Sequence, residues 1–181
     1  MTTISQNYDE AKFKELILYV SDRMGDAQGF GATMLNKVLY FSDFFYYAEH
    51  GKAITGADYQ KLNYGPAPKR LVPVRDALVA EGRAAIRTTE IGPYKQSRVE
   101  PLVEADISSF SAEEIKMVDE VISMLRGSTA VGVSEASHRM MGWKAAQNGE
   151  TIPYETVFLT KTAVSKDDFE VAAKLKEQFA A

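Results

Sequence analysis

Asp43 is the side chain of this sequence best placed to do chemistry. Asn36, Tyr40, Asp43 and Tyr47 follow one another at spacings of four, three and four, which on a helix projects a carboxylate between two phenols along one stripe. The stretch around it is nearly all apolar, so a buried carboxylate there needs hydrogen bonds from a tyrosine hydroxyl, backbone N–H groups or a cation. That requirement favours a satisfied structural acid fixing the loop after the helix; contact with a partner, or catalysis, is the other use. A second pattern, Gly132-Val133-Ser134-Glu135-Ala136 with His138 close by, comes one residue short of a nucleophile elbow. An elbow belongs at a strand-to-helix turn of a parallel sheet, and no strand-helix-strand alternation supplies one. With two histidines and no cysteine, thiolate nucleophiles, disulfides and thiolate metal sites are excluded, and no histidine spacing typical of a metal site occurs. The reading is a protein that is not an enzyme and uses neither metal nor cofactor.

The elements that position these residues follow from periodicity. Residues 34–49 contain no Gly or Pro, Thr33 is placed to cap their start, and Gly51 stands where a helix is commonly ended. Apolar side chains cover nearly the whole circumference, so this helix is expected at the centre of the core. It is too short, and too interrupted by Lys37, Asp43 and Glu49, to span a bilayer. Before it, residues 8–25, starting near Asn7 or Tyr8, carry Phe13, Leu16, Ile17, Val20 and Met24 on one stripe and read as a helix packed against it. Gly25, Gly29 and Gly31 mark the loop between the two.

After Gly51 comes a tyrosine-rich connection closed by Gly65-Pro66-Ala67-Pro68, in which the residue before each proline is pushed out of the helical region. A third helix over Leu71, Val74, Ala77 and Leu78 contains Pro73, which either starts or kinks it. β-formers on both sides of Gly92-Pro93, within residues 83–103, signal a hairpin. Helix plus hairpin resembles a winged helix, and Arg83, Arg87, Lys95 and Arg98 make the hairpin locally basic. Two uses are open for these four residues, a solvated face or contact with nucleic acid phosphates; the acidic balance of the chain favours the former. Ser111 and Glu114 form a capping box ahead of the clearest amphipathic helix, ending at Gly127. A helix over residues 128–139 follows, with Met140, Met141 and Trp143 after it, and a last helix is expected from Ser165 to Ala181.

With 181 residues, 45% apolar and 10% aromatic, the chain can bury a sizeable core. No linker divides it, so residues 1–181 are read as one α+β, mostly α-helical domain with a central buried helix and a small hairpin. A formal charge of −4 and a pI near 5.3 argue against an extended nucleic-acid-binding face. The start, MTTISQNYDEAK, lacks the charged and apolar regions of a signal peptide. The expectation is a cytoplasmic protein without a membrane partner.

Leu39-Tyr40-Phe41-Ser42-Asp43, Gly51, Ile54-Thr55-Gly56, Tyr59 and Tyr64-Gly65-Pro66, with His138, Trp143 and Ile152-Pro153 further on, resemble the Panacea, or SocA-like, antitoxin domain over most of residues 10–160. Ala67 stands where that family often has a larger apolar residue, and the DNA-binding module of some members is missing. The resemblance implies an antitoxin of a bacterial or phage toxin–antitoxin pair that neutralises a cognate protein toxin, encoded by an adjacent gene, through direct binding. On that basis the candidate partner-binding residues are Asp43, Tyr46, Tyr47, Tyr59, Tyr64, Gly65, Pro66, His138 and Trp143. The terminal Ala180-Ala181 is similar to tags read by AAA+ unfoldases, so a cellular AAA+ protease is a second expected partner. The alternative is a winged-helix-like regulator binding nucleic acid through the basic hairpin.

Overall fold

The computed structural model describes residues 7–159 apart from residues 28 and 92, and for Ile91 and Tyr94 the backbone alone. The expected last helix and Ala180-Ala181 lie outside the described residues. The order of elements is α1 (Glu10–Met24), α2 (Ala32–His50), β1 (Tyr59–Leu62), β2 (Gly65–Pro68), α3 (Leu71–Ala80), β3 (Ala84–Ile91), β4 (Tyr94–Pro101), α4 (Ala112–Leu125), α5 (Ala130–His138) and α6 (Met141–Ala145), followed by a 3-10 turn at Tyr154–Leu159.

α2 is the core helix that its composition predicts. From Met34 to Phe44 every residue but Asn36 is buried, and Tyr46 and Tyr47 extend the buried stretch. α1, α4, α5, β2 and the 3-10 turn surround it. Gly51 ends it in the left-handed region at φ 70° and donates to the Tyr47 carbonyl, as a C-terminal glycine does. The start differs from expectation. Gly31, not Thr33, precedes the first turn, without a side-chain cap. A Cβ at Gly31 would meet the Gln96 side chain at 2.7 Å, so close approach of β4 takes precedence over capping there.

The other ends follow their capping chemistry. α1 starts later than Asn7 or Tyr8 because the Asp9 carboxylate accepts from the Lys12 N–H at 2.9 Å. Thr129 caps α5 in the same way. The Ser111–Glu114 capping box is formed, and the Glu114 carboxylate also pairs with Lys12 at 2.7 Å, joining α1 to α4. Pro73 is the third residue of α3; in a first turn no intrahelical acceptor awaits its missing N–H, so it neither breaks nor kinks the helix.

Two antiparallel hairpins complete the α+β architecture. β3 and β4 pair from Ala84 opposite Pro101 to Ile91 opposite Tyr94, as the residues flanking Gly92-Pro93 predict. The connection after Gly51 holds an unexpected second hairpin, with Tyr59 opposite Pro68 and Leu62 opposite Gly65. The prolines that argue against helix hold β2 extended, and their lack of N–H groups is tolerated because β2 is an edge strand. On its other edge β1 accepts from Ile152 N–H through Tyr59 and donates from Lys61 to Glu150. Among the described residues no helix is long and apolar enough to cross a membrane.

Two glycines in the left-handed region separate conformational strain from crowding. Gly51 has open space where a Cβ would go, whereas a Cβ on Gly65 would collide with Ser137 Oγ and lie 2.7 Å from Lys37 Cε. Gly51→Ala should therefore cost about 1–2 kcal/mol for the backbone alone. Gly65→Ala should cost a further ~1–3 kcal/mol of overpacking, measured by urea denaturation of both variants.

Candidate functional site

The polar residues of α2 face two different neighbours. Asp43 is fully buried, and its carboxylate accepts from the Thr55 N–H at 2.8 Å, the Thr55 hydroxyl at 2.6 Å and the Tyr59 hydroxyl at 2.8 Å. Rings enclose this knot: Tyr40 and Phe44 lie edge-on to Tyr59 at 5.5 and 5.6 Å, and Tyr154 stacks on Phe44 at 4.6 Å. Burial raises the Asp43 carboxyl above its ordinary range, against the pull of the Thr55 and Tyr59 bonds. Burial, and then the Asp43 charge, hold the Tyr59 phenol well above its own. The Tyr154 hydroxyl donates to the Ala57 carbonyl at 2.6 Å. A group so enclosed cannot meet a substrate, and what it does is hold residues 54–59 against α2. The Tyr40 hydroxyl, on the same stripe, has no hydrogen-bond partner among the described residues.

Lys37, two turns earlier, is 1% exposed and donates to the Pro66 carbonyl at 3.0 Å. Spacing could have revealed it, since Lys37, Tyr40 and Phe44 share the face that meets the hairpin. Its side chain lies against Gly65, which also abuts Ser137 of α5. β2 is thus held between α2 and α5 by a lysine, a glycine without room for a side chain, and a serine whose hydroxyl donates to the Ser134 carbonyl at 2.7 Å. Ser134 itself is buried within α5, so the near-elbow pattern lies inside a helix.

Outside this clamp lies the turn that joins β1 to β2. His138 stacks on Trp143 with ring centres 3.9 Å apart and planes 17° apart. The Trp143 indole donates to the Leu62 carbonyl at 3.1 Å, and the Lys61 ammonium sits 4.2 Å over the same ring while donating to the Ala146 carbonyl. Burial first, then the Lys37 charge, lowers the His138 imidazole below its usual range, and a bond to the Asn63 backbone opposes this. The turn is therefore fixed on both sides, and Tyr64 at its tip is 76% exposed beside Leu62 at 37%.

The candidate residues thus separate into groups. Tyr64, His138 and Trp143 share one surface, with Gly65 and Pro66 buried directly beneath it. Asp43 and Tyr59 lie deeper, and Tyr46 and Tyr47 are buried toward the other end of α2, where Tyr46 stacks on His50 at 4.1 Å and Tyr47 meets Phe158. The hairpin arginines are engaged within the chain: Arg83 with Glu15 at 2.8 Å, Arg87 with Glu100 at 2.9 Å, and Arg98 with Gln96 and the Gly25 carbonyl. Lys95 is exposed. Sequence reading missed Lys37, Lys61 and Leu62.

Residues 35–144, from the buried face of α2 to the Trp143 stack, match the model of the family described as antitoxin SocA-like, Panacea domain. The chain belongs to this family. The matched span includes the Asp43 knot, the clamped hairpin and the stack, and leaves α1 and Ile152-Pro153 outside. No curated protein and no solved structure matches the chain. An antitoxin-like domain works through a protein partner, so its working surface must be exposed.

Two outcomes test the interior of this Panacea domain. Asp43→Ala should lower stability by about 1–3 kcal/mol by leaving Thr55 and Tyr59 unpaired, and Asp43→Asn by less, in urea titrations. Burial pushes the Lys37 ammonium down to about 7 from its ordinary 10.5. Between those values the unfolded chain holds a proton that the folded chain lacks, so this group makes stability rise with pH across that interval and level off above it. In thermal melts, the advantage of Lys37→Met over wild type should be largest at and below pH 7 and shrink as the pH approaches 10.5.

Proposed function

We propose that this Panacea domain is the antitoxin of a bacterial or phage toxin–antitoxin pair, and that it neutralises a protein toxin by binding it through the β1–β2 turn. The observation that carries this reading is the exposure of Tyr64 on a turn whose two sides are fixed. Aromatic side chains dominate interface hot spots, and a turn already ordered by the Lys37–Pro66 bond and the Trp143–Leu62 bond loses little entropy on binding. Leu62 extends the apolar contact, and His138 and Trp143 flank it. Asp43, Tyr59, Gly65 and Pro66 act from inside by holding that surface, and Tyr46 and Tyr47 by packing the far end of α2. The partner is the product of an adjacent gene, met in the cytoplasm, and a cellular AAA+ protease acting on the tail is the second partner in this scheme.

The winged-helix-like alternative, nucleic acid held by Arg83, Arg87, Lys95 and Arg98, has less support. The three arginines are occupied by Glu15, Glu100, Gln96 and Gly25, and releasing them would cost those bonds. A DNA affinity falling steeply with salt, and lost in Arg87→Glu with Arg98→Glu, would restore that reading.

Co-expression with the adjacent gene is the direct test: the neighbour should be toxic alone and harmless with this protein. Tyr64→Ala should abolish rescue and weaken the purified complex by roughly 2 kcal/mol or more while leaving the melting temperature unchanged. A harmless neighbour, or full rescue by Tyr64→Ala, removes the proposal.

A further inference from the structure

The grip on the β1–β2 turn passes through one histidine. His138 stacks on Trp143, and Trp143 holds the Leu62 carbonyl through its indole N–H. The imidazole Nε2 is buried and has no hydrogen-bond partner among the described residues. A neutral ring can leave that nitrogen as a bare lone pair. A protonated ring makes both of its nitrogens donors, and Nε2 would then be a buried donor with nothing to receive its proton.

The charged neighbours sharpen this choice. Lys37 reaches the ring from α2 and Lys61 from β1, and both repel a further positive charge, whereas Glu135 on α5 and the Asn63 backbone in the turn attract one. Burial and the two lysines outweigh Glu135 and Asn63, so the stacked ring is held neutral. A cation gains by facing an indole, but the Lys61 ammonium already sits 4.2 Å over this one. We propose that protonation of His138 separates it from Trp143 and frees the β1–β2 turn, so that the surface around Tyr64 is fixed near neutral pH and loosened in mildly acidic solution. The sign follows from linkage. With the turn open the ring regains its ordinary 6.5, so the closed grip is intact above that pH, weakens as the pH falls through it, and levels off once the stacked ring is itself protonated. The device belongs to the fold and stands whichever molecule the turn binds.

The chain has one tryptophan and two histidines, so both ends of this switch can be read in the intact protein. From about pH 8 to about pH 5, where a histidine changes charge, the His138 ring proton resonances and the acrylamide quenching of Trp143 fluorescence should change together, with a midpoint below 6.5. Over the same range, amides of residues 61–65 should lose about tenfold or more of their protection against hydrogen exchange, the scale of one buried donor left unpaired, while the far-ultraviolet circular dichroism stays constant. His138→Phe, which keeps a ring against the indole but cannot take a charge, should remove the quenching step and the loss of protection, and so should His138→Gln. His50→Gln should retain both. Lys37→Met should keep the step and move its midpoint upward by removing one repelling charge. A step that survives in His138→Phe and His138→Gln, or that Lys37→Met abolishes, overturns the proposal. So does a ring that titrates while quenching and exchange stay flat, or a turn that opens only when the whole chain unfolds.

Discussion

A carboxylate removed from water must find its donors inside the chain, and most of the architecture around α2 follows from how Asp43 does so. The Thr55 N–H and hydroxyl and the Tyr59 hydroxyl all donate to it, so the segment that leaves α2 is drawn back across it before the first hairpin begins. The Thr55 carbonyl then accepts from the Asp9 N–H at the start of α1. One acid thereby aligns the loop, the first strand and the entry of the first helix. Removing one partner of such a knot strands the others, which is why its worth lies more in fixing a geometry than in adding stability.

From this fixed strand the order propagates outward. β1 carries β2, β2 is trapped between Lys37 and Ser137, and the turn between the strands is gripped by Trp143. Each contact is made by a residue far away in sequence. The exposed turn therefore behaves as part of the core, although its own side chains face solvent. A burial this complete leaves the Lys37 amine with a carbonyl, not a carboxylate, as its hydrogen-bond partner, which disfavours its charged form, while the same side chain props the strand.

Much of this was legible in the residues. The all-apolar circumference of α2, the Ser111–Glu114 box and the Gly92-Pro93 hairpin each rest on local patterns, and the structure has all three. That a buried Asp43 needs a tyrosine hydroxyl, backbone N–H groups or a cation followed from desolvation, and the first two are what it has. What escaped was non-local. β2 has two prolines in four residues, which a propensity argument reads as irregular. Its strand character comes from pairing with β1 and contact with α2 and α5. Gly31 replaced Thr33 at the helix start because of a side chain on β4, 65 positions away in the numbering and invisible to capping rules. Tyr46, Tyr47 and Tyr64 are chemically alike, yet only the third is exposed, a distinction set by packing.

The bond between Lys12 and Glu114 spans 102 positions, and that between Trp143 and Leu62 spans 81. Contacts this distant form only after long loops have closed, which slows folding. On a ribosome the consequence is one of timing: α1 and α2 emerge before α4 and α5 and lack their cover until those helices follow. The nascent protein must keep the apolar surface of α2 from aggregating through that interval, and the β1–β2 turn acquires its rigid shape only once Trp143 has been made. Under the proposed function, competence thus waits for Trp143 and arrives all at once.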